Sequence, residues 1–328
     1  MRRRDALTLL GGAAAASALP PATRSQQAMP VIGYLNGQSA GDRPHLPEAF
    51  RQGLGDVGYV VGRNVSIEYR YGDNSMDRLR EHAADLISRK VAVIAATGGN
   101  NSALAAKALT STIPILFTSG LDPVHAGLVA SLGRPEGNVT GVSWFSVEMP
   151  PKQIELLREM LPHATVFGLF IDPNNQESSA SEVVARHAAP AFGVRLLVLK
   201  PSTPDEINAA FETLARERVD AAIFGSSPYY TSIAKEVIAL AERHRIPVAY
   251  SNREWGEAGG LVAYGNSIAD AYRRVENYAA RLLKGAKPAD LPVDRAIKFE
   301  LIINLKAAKA LGLTLPHSLL SRADEVID

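Results

Sequence analysis

The sequence predicts an α/β protein made of two similar, doubly wound parallel-sheet lobes joined by a three-strand hinge. Three observations carry this. Short apolar runs that stop at polar tips alternate with segments of helical periodicity. The alternation runs from Pro30 to Thr118 and restarts after Ile154. The two passes align, Val31 with Val166, Val65 with Val194, Val91 with Val219 and Ile113 with Ile246, at offsets of about 130 residues. Ile113-Pro114-Ile115 against Ile246-Pro247-Val248 anchors the alignment.

The first pass reads as a strand over 30–36 and a helix over 46–57, in which Leu46, Phe50, Leu54 and Val57 share one face before Gly58 stops it. A strand over 65–71 and a helix over 76–89 follow. The third strand, 91–96, ends in Thr97-Gly98-Gly99-Asn100-Asn101, with Asn101 or Ser102 as the cap of the next helix. The fourth, 113–117, ends in Thr118-Ser119-Gly120 and Asp122-Pro123. The second pass opens with a helix over 154–161 and the apolar run Val-Phe-Gly-Leu-Phe-Ile at 166–171, which stops at Asp172-Pro173-Asn174-Asn175. So short a run reads as a strand buried on both faces, with its tip at the carboxyl end where open α/β sheets bind ligands. Helices over 181–192, 204–217 and 233–244 alternate with strands over 194–199, 219–224 and 246–250; Ser226-Ser227-Pro228-Tyr229-Tyr230 is a further polar tip. A short strand over 260–265, a helix over 269–283, an extended segment over 296–303 capped by Asn304 and an amphipathic tail complete the chain. Crossings near 143, 265 and 296 assign 30–143 with 265–295 to one lobe and 144–264 with 296–328 to the other.

The 328 residues suffice for two domains, and 46% hydrophobic with 21% charged residues is a globular balance. Zero cysteines exclude disulfides, thiolate chemistry and a lipidated anchor. Arg2, Arg3 and Arg4, the apolar stretch 7–19 and the small residues before Gln26 read as an export signal over residues 1–25, with Arg3-Arg4-Asp5-Ala6-Leu7 of twin-arginine type. Cleavage after Ser25 or after Ala18 fits. Removing residues 1–25 takes four arginines and one aspartate and moves the formal charge from +1 to −2, so nothing electrostatic calls for nucleic acid. No later apolar run approaches the ~20 residues needed to span a bilayer.

Residues 297–313 (Ile-Lys-Phe-Glu-Leu-Ile-Ile-Asn-Leu-Lys-Ala-Ala-Lys-Ala-Leu-Gly-Leu), Pro30-Val31-Ile32-Gly33-Tyr34-Leu35, Leu132-Gly133-Arg134-Pro135 with Gly137-Asn138-Val139-Thr140-Gly141, and Asp172-Pro173-Asn174 resemble the substrate-binding components of tryptophan/tyrosine-type ABC importers. The resemblance covers nearly the whole chain after the leader. It implies a type I periplasmic binding protein fold, ligand capture in the inter-lobe cleft, and delivery to an inner-membrane permease with its ATPase. Aromatic-amino-acid binders of this group carry Asp-Asn-Thr at a second-lobe tip, where this chain has the acid-free Ser226-Ser227-Pro228-Tyr229-Tyr230.

Candidate ligand-binding residues are Asn36, Thr97, Asn100, Asn101, Thr118, Ser119 and Asp122 from the first lobe, and Asp172, Asn174, Asn175, Ser226, Ser227, Tyr229, Ser251, Asn252 and Tyr264 from the second. Trp144, just past the first crossing, joins them. Short side chains with fixed donors and acceptors, beside helix N-termini, suit a small polar or zwitterionic ligand, amino-acid-like or aromatic. The competing role of each Asn, Ser or Thr is a helix cap, and of Asp122 and Asp172 an Asp-Pro turn. Phosphate-loop, dinucleotide and zinc-protease motifs are absent, and Gly141-Val142-Ser143-Trp144-Phe145 lacks the second glycine of a nucleophile elbow. The expectation is an exported periplasmic binding protein without catalysis, cofactor, metal or nucleic-acid partner. A ligand-sensing partner of a membrane receptor kinase, or an enzyme on the same scaffold, stays open.

Overall fold

A computed structural model describes residues 29–296 and 298–328; the leader expected over residues 1–25 lies outside them. The first pass folds as β1 (Val31–Asn36), α1 (His45–Asp56), β2 (Ser66–Tyr71), α2 (Met76–Ser88), β3 (Val93–Thr97), α3 (Asn100–Lys107), β4 (Ile115–Ser119) and β5 (Val139–Ser143). The second gives α4 (Pro150–Met160), β6 (Val166–Phe170), α5 (Gln176–Ala188), β7 (Arg195–Leu199), α6 (Pro204–Arg216) and β8 (Ala221–Phe224). It continues through α7 (Pro228–Ser232), α8 (Ala234–His244), β9 (Val248–Tyr250), α9 (Arg253–Glu257) and β10 (Val262–Asn266). Then come α10 (Ile268–Leu283), β11 (Asp294–Arg295), β12 (Phe299–Asn304), α11 (Leu305–Ala310), α12 (His317–Leu320) and β13 (Glu325–Ile327).

Two sheets result, ordered β11-β5-β4-β3-β1-β2 and β13-β12-β10-β9-β8-β6-β7. Each pass therefore orders its strands second, first, third, fourth, fifth, and the sequence repeat becomes a repeat of topology. Pairings between strands are parallel except β10 with β12, which run antiparallel with Val262 opposite Ile303. Strands such as β3 and β4 are buried along their length because helices cover both faces. Leu46, Phe50 and Leu54 of α1 and Tyr272, Val275 and Ala279 of α10 cover one face of the first sheet. Leu79 and Leu86 of α2 and Ala103 and Ala106 of α3 cover the other. On the second sheet Ile154 and Leu157 of α4 oppose Phe211, Leu214 and Val237 of α6 and α8 across the strands. Trp255 is fully buried and stacks on Tyr250 at 4.5 Å, so it is core.

Several elements differ from expectation, among them α7, which forms where 226–230 reads as a polar tip, and the two-residue β11. β5 is a strand although Thr140, Gly141 and Ser143 dilute its apolar character; Gly141 is required because a Cβ there collides with Phe117 on β4. Neither Asn101 nor Ser102 caps α3. Gly99 does, at φ 110, and the Ser102 hydroxyl, one turn inside, donates back to the carbonyls of Thr97 and Gly99 at 2.8 Å each. The five-residue α9 escapes periodicity, and the tail supplies β13, an edge strand parallel to β12.

The chain passes between the sheets at three neighbouring places. Trp144 N donates to Ser119 O at 3.0 Å, Ala296 N to Ser143 O at 2.9 Å and Ser267 N to Lys298 O at 2.8 Å. Asn266 Nδ2 donates to Ala296 O at 3.2 Å and ties two of the three together.

Between α1 and α10, Glu276 is only 3% exposed and faces Gly53, where a Cβ would overlap its carboxylate. Its Oε1 has no partner among the described residues; burial, reinforced by the charge of Asp56 and opposed by Arg273, raises its pKa to about 8. The folded state thus holds a proton that the unfolded chain has released, and stability falls as pH rises from about 4.5 to about 8. Glu276→Gln is expected to raise Tm by roughly 4 °C at pH 8 and by almost nothing at pH 4. An equal gain at both pH values in thermal melts contradicts this.

Candidate functional site

In both sheets the first and third strands of the pass are neighbours, β1 beside β3 and β6 beside β8. The connections leaving them diverge to opposite sides, which opens a crevice at the strands' carboxyl ends. In the first sheet the two tips meet through glycines: Gly37 N donates to Thr97 O at 3.0 Å, and Gly98 has φ 72. A Cβ on Gly98 would strike Asn36 and the Gly37 backbone. Asn36 braces the turn, accepting from Gln38 N at 2.8 Å and donating to Thr97 Oγ1 at 3.1 Å. In the second sheet Asp172 accepts from Asn174 N at 2.9 Å and from Ser227 Oγ at 2.6 Å, fastening the β6 tip to the β8 tip. Asn175 caps α5 by accepting from Ser178 N at 2.8 Å, and Ser227 caps α7.

A cavity of about 290 Å³ lies between these tips. Gly37, Asn74, Leu79 and residues 98–101 line it from the first sheet; Asp172, residues 174–177, Ser202, Pro228 and Tyr229 line it from the second. A smaller space of about 30 Å³ shares Gly98, Gly99, Glu177 and Pro228 and reaches Gln38, Arg43, Trp144, Ser226, Asn252 and Tyr272. The N-termini of α3 and α5 open on the larger cavity, where their first-turn N–H groups favour negative charge. Its volume is that of a small metabolite site.

Glu177, in the first turn of α5, is 8% exposed and sits on the seam between the two spaces. It accepts from the Ser146 hydroxyl and, at 3.2 Å, from Ser226 Oγ. Burial raises its pKa to about 7, against the opposing effects of Ser226, the Trp144 indole and the more distant Arg43. Arg43, before α1, makes a two-pronged ion pair with Glu254 of α9, Nε to Oε2 at 2.9 Å; His45 Nε2 stands 3.4 Å from the same carboxylate. Asn100 Oδ1 and the Tyr229 hydroxyl, on two residues that line the larger cavity, have no hydrogen-bond partner among the described residues.

Asn100, Asn101, Asp172, Asn174, Asn175 and Tyr229, singled out from sequence, line the larger cavity, and Trp144, Ser226, Ser227 and Asn252 line the smaller one. The other seven lie elsewhere. Asn36 and Thr97 brace the turn beneath, and Thr118 is buried near the Tyr272 phenol. Ser119 closes a local turn with Leu121. Asp122 forms the Asp-Pro turn, accepting from Val124 N at 2.8 Å, because β4 is one strand removed from the divergence point. Ser251 is buried at the end of β9, and Tyr264 stacks on Phe299 at 5.9 Å, off the cavity wall. Sequence reasoning missed Glu177, Arg43, Gln38 and Tyr272. A carboxylate in a helix's first turn reads as a dipole complement, and an arginine in a loop as solvated; only the position of α5 after a divergence-point strand signalled Glu177.

A family model described as ABC transporter substrate binding protein matches residues 43–327. A tyrosine-binding protein of Clostridioides difficile (strain R20291) is 29% identical over 276 residues, covering 83% of this chain and 79% of that protein. A crystal structure of an ABC domain from Streptococcus pneumonia in complex with L-Trp superposes with a TM-score of 0.83 at 24% identity, covering 91% of this chain and 99% of that one. The ligand-free, open structure of a substrate binding protein with adhesive properties from Clostridium difficile gives 0.69 at 27% identity, with the same coverage. The architecture is that of type I periplasmic binding proteins. With a match spanning 43–327, the chain belongs to the ABC transporter substrate binding protein family.

Proposed function

We propose that this protein captures a small polar or zwitterionic solute, amino-acid-like in character, in the cavity between its two sheets and presents it to an ABC importer permease at the inner membrane. One observation carries the reading: the wall joins the carboxyl ends of β1 and β3 to those of β6 and β8, with the N-termini of α3 and α5 and two carboxylates facing one small volume. The tyrosine-binding relative and the L-Trp complex support an amino-acid-like solute. The units 30–143 with 265–295 and 144–264 with 296–328 act as lobes, and the three adjacent connections act as a hinge. The higher TM-score with the L-Trp complex than with the open, ligand-free structure fits a closed arrangement of such lobes. Closure then follows from contacts the solute makes only between the lobes, and the permease reads the joint outer surface. The protein works in the periplasm as a binding component, without turnover.

A ligand that binds the folded state alone must raise Tm. L-tyrosine, L-tryptophan or another amino acid, at about 100 times its Kd, is expected to add roughly 3 kcal/mol, a shift of about 5 °C. A broad metabolite panel without any ligand-dependent shift in differential scanning fluorimetry overturns the reading.

A further inference from the structure

We infer that Glu177 is the counter-ion for a cationic nitrogen of the solute, so that the cavity selects ligands bearing an ammonium group and discriminates against the same molecule without it. The inference rests on the solute-binding reading above and deepens it.

Glu177 is more than nine-tenths buried and borders both spaces, yet among the described residues no Lys, Arg or His lies within ion-pair distance of it. Its neighbours are neutral donors, the hydroxyls of Ser146 and Ser226 and the Trp144 indole, with Arg43 more distant. Among the described residues the larger cavity has no basic side chain on its wall; the smaller has Arg43, whose guanidinium is engaged by Glu254. A carboxylate left so by its own chain is a costly arrangement, relieved when a cation arrives from outside. A second, independent feature points the same way. Among the described residues Asn100 Oδ1 is an acceptor without a donor, on a side chain only 9% exposed whose residue lines the same cavity. An ammonium group brings three donors, one for each such acceptor and one to spare. The other acid on the wall, Asp172, already holds Asn174 N and Ser227 Oγ and acts as a brace. The Ser226–Tyr230 stretch contributes no acid, which leaves Glu177 to carry the charge. A zwitterion's carboxylate then falls to the N–H groups opening α3 and α5.

The charged and titratable groups around Glu177 are few. Arg43 approaches from before α1 with Glu254 and His45 behind it, Tyr272 comes from α10, Asp172 from the β6 tip and Tyr229 from α7. On the packed elements, Glu148 lies toward exposed Arg295, Lys152 pairs with Glu155, and Glu159 pairs with Arg322. A carboxyl raised to about 7 must lose its proton to hold an ammonium, so affinity rises with pH through that value.

The test uses the full mature protein and isothermal titration with three pairs of probes: L-tyrosine and L-tryptophan, tyramine and tryptamine, and the deaminated acids 3-(4-hydroxyphenyl)propionate and indole-3-propionate, with D-glucose as a neutral control. Wild type is expected to bind an amine-bearing probe about 10- to 100-fold more tightly than its deaminated counterpart, and Glu177→Gln to lose that preference. Wild-type affinity for the amine is expected to rise about tenfold from pH 6 to pH 8 and the variant's to stay flat. Equal wild-type affinity for the deaminated acids overturns the inference without any variant, and so does an unchanged pH profile in Glu177→Gln. Binding of glucose alone overturns the counter-ion role and leaves the solute-binding reading standing; wild type that binds no probe and no metabolite overturns both.

Discussion

Replacing Gly120 with valine is expected to weaken ligand binding at least about 100-fold while both sheets remain folded. Gly120 follows β4, and a Cβ placed on it runs into the Glu177 carboxylate and the Ser146 hydroxyl. Its backbone is not in the left-handed region, so the substitution strains nothing locally. The conflict is therefore between the end of β4 and the first turn of α5, across the space where the two sheets meet. Valine leaves two outcomes. Either Glu177 is pushed further into the cavity and takes the ligand's place, or the sheets separate; both remove the site. Circular dichroism and the ligand-free Tm are expected to stay near wild type, and small-angle scattering tells the outcomes apart by a larger radius of gyration in the second. Wild-type affinity in Gly120→Val contradicts this account.

Breaking the Arg43–Glu254 pair is the second large effect. The Arg43 side chain is 9% exposed and that of Glu254 23%, and they join the segment before α1 to α9 on the other sheet. Burial works against ionisation of Glu254, but the charge and hydrogen bonds of Arg43, with His45 beside them, prevail and hold its pKa at about 2. Because that value lies below the ordinary one, the pair contributes fully above about pH 4.5 and fades as pH falls toward 2. Arg43→Met leaves a half-buried carboxylate without its partner, a loss of about 2 kcal/mol. If the pair latches the closed arrangement, the cost falls on ligand dissociation. The off-rate in stopped-flow displacement is expected to rise roughly 30-fold with little change in the on-rate. The double variant Arg43→Met/Glu254→Gln should release more slowly than Arg43→Met, since it removes the unpaired charge. An off-rate at the wild-type value in Arg43→Met removes the latch.

Two Asp-Pro dipeptides measure how far local sequence reaches. Asp122 and Asp172 both follow an apolar strand and precede a proline, and both fold the same turn, each accepting from the N–H two residues on. Only Asp172 borders the cavity, because β6 stands at the divergence point of its sheet and β4 does not. Strand order is a non-local property, and no window of residues encodes it. The elements themselves were legible: apolar runs and helical periodicity placed nearly every strand and helix of both passes, and the repeat implied two sheets of one topology. β5 was missed because its burial comes from neighbours rather than from its own apolar content. Glu177 and Arg43 were missed for a related reason. Each sits where an isolated helix or loop would keep it in water, and only the approach of the second sheet buries it.

The crossings between the sheets also have a consequence in time. The first sheet is incomplete without Asp294–Arg295 and lacks one of its covering helices until Ile268–Leu283 exists; the second needs Phe299–Asn304 and Glu325–Ile327 at its edge. Neither half is a finished unit when synthesis reaches residue 264. A growing chain therefore emerges with one sheet face partly uncovered and the other sheet's edge unpaired, and both halves mature together, late, after most of the polypeptide has left the ribosome.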